Sequence, residues 1–222
     1  NNVGAQHSGS AAKFVSLIFD GGFDDFAAWE AETRCYRTFV WAKFDDGSWH
    51  QLSFFELIRL TQELDLSRET FFMETGLIIV PEVTLANMEH ATRALAAEGL
   101  LTSIGVKVPS TPSRARFVRL TCDLESVGNS DSEDGDLGRV SARIELDDET
   151  CRTVTFYSVP RLAHVLNEAW AVGAVFFTEP NLVVVQRLNL ATMNTVAQSL
   201  IEQKCFDNNY APGEFEKLHP MK

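Results

Sequence analysis

Carboxylates crowd two stretches of this chain. The first runs Asp20-Gly21-Gly22-Phe23-Asp24-Asp25-Phe26 and continues to Trp29, Glu30 and Glu32; the second sets Asp123, Glu125, Asp131, Glu133, Asp134 and Asp136 among serines and glycines. Grouped carboxylates can coordinate a hard cation, attract a basic surface, or simply stay in water. The order over 131–136 departs from the Asp-x-Asp-x-Asp-Gly spacing of a calcium loop, so calcium is the weakest of the three. Aromatic residues amid charge have the composition of an interface hot spot, and Phe23, Phe26 and Trp29 supply them in the first stretch. The partner-binding candidates are therefore Asp20, Phe23, Asp24, Asp25 and Trp29, with Asp131, Glu133 and Asp134 in the second stretch. The competing reading is a pair of solvated acidic linkers.

Other chemistry has less to stand on. Arg37 and Arg139, Arg59 and Arg161, and Glu74 and Glu179 recur at matching places in the two halves of the chain. An Arg–Glu pair, Arg59 with Glu74 and Arg161 with Glu179, would tie a helix to a turn; the alternative is an anion site on Arg59 or Arg161. Histidines do not recur, since His50, His90 and His164 match Arg152, Thr195 and Gln62. No nucleophile elbow, His-Glu-x-x-His helix, Walker loop or Gly-x-Gly-x-x-Gly turn is present. The sequence thus names no reaction, no metal and no cofactor.

Charge narrows the partners. A net charge of −12 and a pI near 4.8 oppose binding to nucleic-acid phosphates, which draws its free energy from Lys and Arg displacing counterions. No run of about eighteen apolar residues offers a membrane span. Cys35, Cys122, Cys151 and Cys205 form no Cys-x-x-Cys pair and none matches another across the halves, which argues against zinc and a disulfide framework and for a reducing, cytoplasmic setting. Residues 1–12 lack the basic and apolar regions of a signal peptide and read as a linker or a remnant of expression.

The elements that must position these residues come from a repeat. Phe44-Asp45-Asp46-Gly47-Ser48-Trp49 and Phe71-Phe72-Met73-Glu74-Thr75-Gly76-Leu77-Ile78-Ile79-Val80 recur as Leu146-Asp147-Asp148-Glu149-Thr150-Cys151 and Phe176-Phe177-Thr178-Glu179-Pro180-Asn181-Leu182-Val183-Val184-Val185. Such self-similarity predicts an α+β fold built from an internally duplicated module, residues 13–101 and 116–206, joined by a connector at 102–115 and followed by an extension at 207–222. Each copy reads β-β-β-α-β-α. Strands fall at 14–19, 37–44 and 49–54 and at 117–122, 139–146 and 151–156. Gly47 suits a hairpin turn needing positive φ, and Glu149 in its place predicts a looser turn. Gly76 and Asn181 occupy the third position of a second turn, and Thr84 and Asn189 are N-caps of the last helices. Both helices of a copy are expected on one face of its small sheet, with the copies about a pseudo-two-fold axis.

Together these features predict a non-enzymatic acidic protein that binds a basic protein partner, such as an immunity or inhibitor protein against a toxin. The alternative is a ligand-binding protein or enzyme with its site in the cleft between the copies.

Overall fold

The computed structural model describes residues 12–19, 22–66, 70–74, 76–101, 115–122, 138–203 and 205. They form two four-stranded sheets and five helices, an α+β fold. The first half contains β1 (Phe14–Phe19), α1 (Asp25–Arg34), β2 (Tyr36–Phe44), β3 (Trp49–Phe55), α2 (Leu57–Leu66), β4 (Leu77–Ile79) and α3 (Leu85–Ala97). The second contains β5 (Phe117–Cys122), β6 (Arg139–Leu146), β7 (Cys151–Ser158), α4 (Val159–Ala171), β8 (Leu182–Val185) and α5 (Leu190–Glu202). Strand order is β1-β2-β3-β4 in one sheet and β5-β6-β7-β8 in the other, and in each the first two pairings are antiparallel and the last parallel.

Local chemistry explains the turns and caps. Gly47 takes φ +82 and Glu149 takes φ +65, and both turns close with the same bonds: Gly47 N–H to Phe44 O at 3.1 Å, Glu149 N–H to Leu146 O at 3.2 Å. The second turn is therefore as tight as the first, contrary to the expectation from Glu149. Asp148 holds it, accepting from the Thr150 amide and hydroxyl as Asp46 accepts from the Ser48 amide. Thr84 and Asn189 cap α3 and α5 through their side-chain oxygens.

The helices do not share a face. Successive strand residues point to opposite sides of a sheet, and β4 shows where each helix lies. Ile78 clusters with Leu52, Phe54 and α3 residues Met88, Ala91 and Leu95, whereas Leu77 and Ile79 cluster with Phe55 and α2 residues Leu60 and Leu64. The second half repeats this: Val183 packs with α5, and Leu182 and Val184 with α4. The one-face expectation fails because β4 and β8 are apolar on both sides and each side needs a cover.

The faces under α2 and α4 meet in a single cluster drawn from both halves, including Phe55, Leu60, Leu77, Ile79, Tyr157, Leu162, Leu182 and Val184. Two antiparallel bridges stitch this seam. Phe72 exchanges backbone bonds with Val184 at 2.8 and 2.9 Å, and Phe177 with Ile79 at 2.8 and 2.8 Å. In the sequence match Phe72 is equivalent to Phe177 and Ile79 to Val184, so the bridges exchange equivalent partners. Phe71 is buried in the core of the second half, and Phe176 packs against the core of the first.

One bulge breaks the likeness. Arg37 opposes Phe54 and Val40 opposes Leu52, so Thr38 and Phe39 together face Ser53, with Phe39 at φ +55. The β6–β7 ladder runs without this step. Arg139 therefore opposes Tyr157, while Arg37 opposes Phe54, whose counterpart Phe156 opposes Val140. The sequence match of Arg37 to Arg139 is off by one residue in space.

Candidate functional site

The first acidic stretch is largely a helix, not the loop its charge suggested. Asp24 caps α1 by accepting from the Ala27 amide at 2.9 Å, Asp25 occupies the first turn, and Cys35 ends the helix at φ +59. Glu30 and Arg34 pair at 2.8 Å one turn apart, and Arg37 approaches Glu30 at 3.9 Å. Only Ala31 is fully buried, which is why no apolar period announced the helix. The signals that could have found it were Asp24 as a cap, Ala27, Ala28 and Ala31 as helix formers, and Arg34 in the last turn.

This helix separates the candidates. Phe23 is half-buried, its ring tilted against Phe19 at 4.2 Å and packed against the core. Asp24 is a structural cap, so replacing it with Ala would cost about 1 kcal/mol. Asp25, Phe26, Trp29 and Glu32 face outward on one side of α1. Phe26 is 66% and Trp29 58% exposed, and their rings pair at 5.8 Å. Asp20, Asp131, Glu133 and Asp134 lie outside the described residues. The structure thus joins Asp25 and Trp29 with Phe26, which hot-spot composition had flagged, and with Glu32.

The seam between the halves is filled. Leu60, Ile79, Leu162, Leu166 and Val184 are wholly buried there. At its second-half side a polar chain runs from Arg139 through Tyr157 to Glu179. Arg139 Nε donates to the Tyr157 hydroxyl at 2.7 Å, which donates to Glu179 Oε1 at 2.6 Å, and Arg139 also bonds the carboxylate directly at 3.2 Å. Burial, then the Glu179 charge, pushes Tyr157 up to about 12. In the first half Tyr36 stacks on Phe55 at 5.3 Å, and Arg59 lies 4.7 Å over Tyr36 and pairs with Glu63. Glu74 accepts instead from Ser53 Oγ at 3.3 Å, and burial raises its carboxyl above the ordinary range. The expected ties of Arg59 to Glu74 and Arg161 to Glu179 are thus replaced: Glu179 takes Arg139 from a strand, and Arg59 takes Glu63 on its own helix.

Among the described residues the histidines and cysteines lie apart from one another in separate settings. His50 is half-buried with its ring edge against Phe44 at 5.4 Å, and burial lowers its pKa. His164 pairs with Glu168 at 3.2 Å on the exposed side of α4. All four cysteines are free thiols, and burial pushes Cys35 and Cys205 up, away from the reactive thiolate. Among the described residues no three metal-ligating side chains converge, and no helix is long and apolar enough to cross a membrane. A shallow cavity of about 380 Å³ lies on the second sheet, lined by Thr121, Cys122, Ser141, Ala142, Arg143 and Thr153. Its lining offers hydroxyls and one guanidinium but no acid–base pair.

No known family, curated protein or solved structure matches this chain.

Proposed function

We propose that the chain is a non-catalytic acidic binding protein that docks a basic protein partner through the outer face of α1, in a reducing compartment. The observation that carries this reading is the exposed Phe26–Trp29 pair with Asp25 and Glu32 on the same helix face. Large exposed aromatics set in acid combine the two ingredients of a fast and specific encounter: complementary charge that steers approach, and rings that bury on arrival. A net charge of −12 extends the steering beyond the patch. An inhibitor or immunity protein that occupies the phosphate-binding surface of a basic toxin is the concrete form of this function.

Under this proposal the two halves are diverged copies of one α+β unit about a pseudo-two-fold axis, and α1 is the device that one copy carries for its partner. Support comes from the exchanged Phe72–Val184 and Phe177–Ile79 bridges and from the shared strand order. The apolar filling of the seam weighs against a ligand site between the halves.

The test places a photo-crosslinking phenylalanine at Phe26 and, as control, at Val172, which is 85% exposed on the other half. The proposal expects the Phe26 probe to capture a basic protein in cells, and Asp25→Asn with Glu32→Gln to reduce capture. Equal capture of the same species from Val172, or capture indifferent to the two carboxylates, would refute it.

A further inference from the structure

We infer that the outer face of α1 reads arginine side chains: the Trp29 indole is a stacking platform for a guanidinium, and Asp25 and Glu32 are its carboxylate forks. This rests on the docking role of α1 and specifies what the partner must present. Residues three and four apart are neighbours on a helix, so Asp25 and Phe26 flank Trp29 on one side and Glu32 flanks it on the other. The seven-residue spacing sets the two carboxylates about 10 Å apart along the axis, room for a guanidinium at either end of the indole. The helix's own base is directed elsewhere, because Arg34 pairs with Glu30, which Arg37 also approaches.

The choice of arginine over lysine follows from the chemistry of the two cations. A guanidinium is planar and weakly hydrated, so it stacks on an aromatic face while its N–H edge binds a carboxylate; an ammonium is a compact, strongly hydrated point charge. The chain uses this contact internally, with Arg59 4.7 Å over Tyr36, Arg93 5.2 Å over Phe14 and Arg139 5.5 Å over Tyr157. In all three cases a carboxylate also holds the same arginine: Glu63 on Arg59, Glu89 on Arg93 and Glu179 on Arg139. The α1 stripe supplies the aromatic and acidic halves of that arrangement and faces solvent.

The experiment measures binding of dye-labelled hexa-arginine and hexa-lysine to the full chain by fluorescence anisotropy at low and physiological ionic strength. The two probes carry equal charge, so general attraction to an acidic protein cancels. Hexa-arginine is expected to bind about fivefold more tightly. Trp29→Leu should erase the difference, and Trp29→Phe should restore part of it. Asp25→Asn with Glu32→Gln should weaken both probes more than Glu98→Gln with Glu168→Gln, which removes the same charge at exposed remote sites. Equal affinities for the parent, or a preference that survives Trp29→Leu, overturns the arginine assignment. If the α1 carboxylate pair still outweighs the remote pair in that event, α1 remains the docking face. If both pairs weaken binding equally, the docking role falls and the arginine assignment with it.

Discussion

Replacing Gly76 with Ala should be among the most damaging single-methyl changes available in this protein. Gly76 sits at φ +64 in the turn that launches β4, and its carbonyl accepts from the Ser53 amide at 3.0 Å. A Cβ there would meet the Gln51 carbonyl oxygen well inside contact distance, with Leu52 Cα at 3.2 Å. Both obstacles are backbone, so no rotamer change relieves them. The left-handed conformation alone costs an L-residue about 1 kcal/mol. Prising β4 from β3 adds the loss of a hydrogen bond worth about 1 kcal/mol and strain in the packing of Ile78 and Ile79 of about 1 kcal/mol or more. The sum is about 3 kcal/mol. Gly47→Ala is the matched control, because Gly47 has φ +82 and open space where its Cβ would lie; it should cost about 1 kcal/mol. The second half shows how a side chain is accommodated. Asn181 at φ +50 donates its amide to Thr153 O at 2.8 Å, the carbonyl that matches Gln51 O, while the neighbouring Thr155 N–Asn181 O bond stretches to 3.3 Å. Gly76→Asn should therefore be milder than Gly76→Ala. Urea denaturation of the three variants decides it, and equal midpoints for Gly76→Ala and Gly47→Ala would refute the close-approach argument.

Further expectations concern the seam and the buried ionisable groups. Phe71→Ala should cost about 3–5 kcal/mol and, although Phe71 belongs to the first half in sequence, should expose amides of β6, β8 and α5 to hydrogen exchange. Burial raises the Glu74 carboxyl, so its contribution to stability is complete below the ordinary glutamate value of 4.5 and is lost as pH rises through the folded value. Glu74→Gln keeps an acceptor for Ser53 without the charge, so its melting temperature should exceed the parent's at neutral pH and converge with it below pH 4.5. Tyr157 shifts from 10.0 to about 12, so its contribution is complete below pH 10 and lost by pH 12, a fall of about 2 kcal/mol. Tyr157→Phe starts lower for want of two hydrogen bonds and should lack that alkaline decline in urea midpoints.

Much of the fold was legible because it rests on local chemistry that repeats. Asp46 and Asp148, Gly76 and Asn181, and Thr84 and Asn189 do in space what their types suggest, since turns and caps are decided within a few residues. What stayed hidden depends on contacts distant in sequence. The runs at 77–80 and 182–185 are apolar without alternation, the pattern of strands covered on both faces, yet nothing local says that one cover is the other half of the chain. Phe71-Phe72 and Phe176-Phe177 were visible as repeated pairs, but their crossing into the opposite half is a property of the assembled seam. The bulge at Thr38-Phe39 puts Arg37 one position out of step with Arg139, so Arg37 opposes Phe54 where Arg139 opposes Tyr157. For the site, composition drew attention to Phe26 and Trp29 without showing the helix that turns them outward. Phe23 looked equivalent to them because only the packing on Phe19 distinguishes it.

The two halves interlock through the seam, and a closed seam favours the outer surface of α1 over a cleft as the proposed docking face. Native-state hydrogen exchange at four amides, Phe72, Ile79, Phe177 and Val184, tests this most directly, because each donates across the seam. Interlocked halves predict that all four exchange only with global unfolding, at the same free energy as the amides of β2–β3 and β6–β7. Exchange of these four at rates near those of exposed amides, while the two sheets stay protected, would show halves that merely touch and would contradict the account.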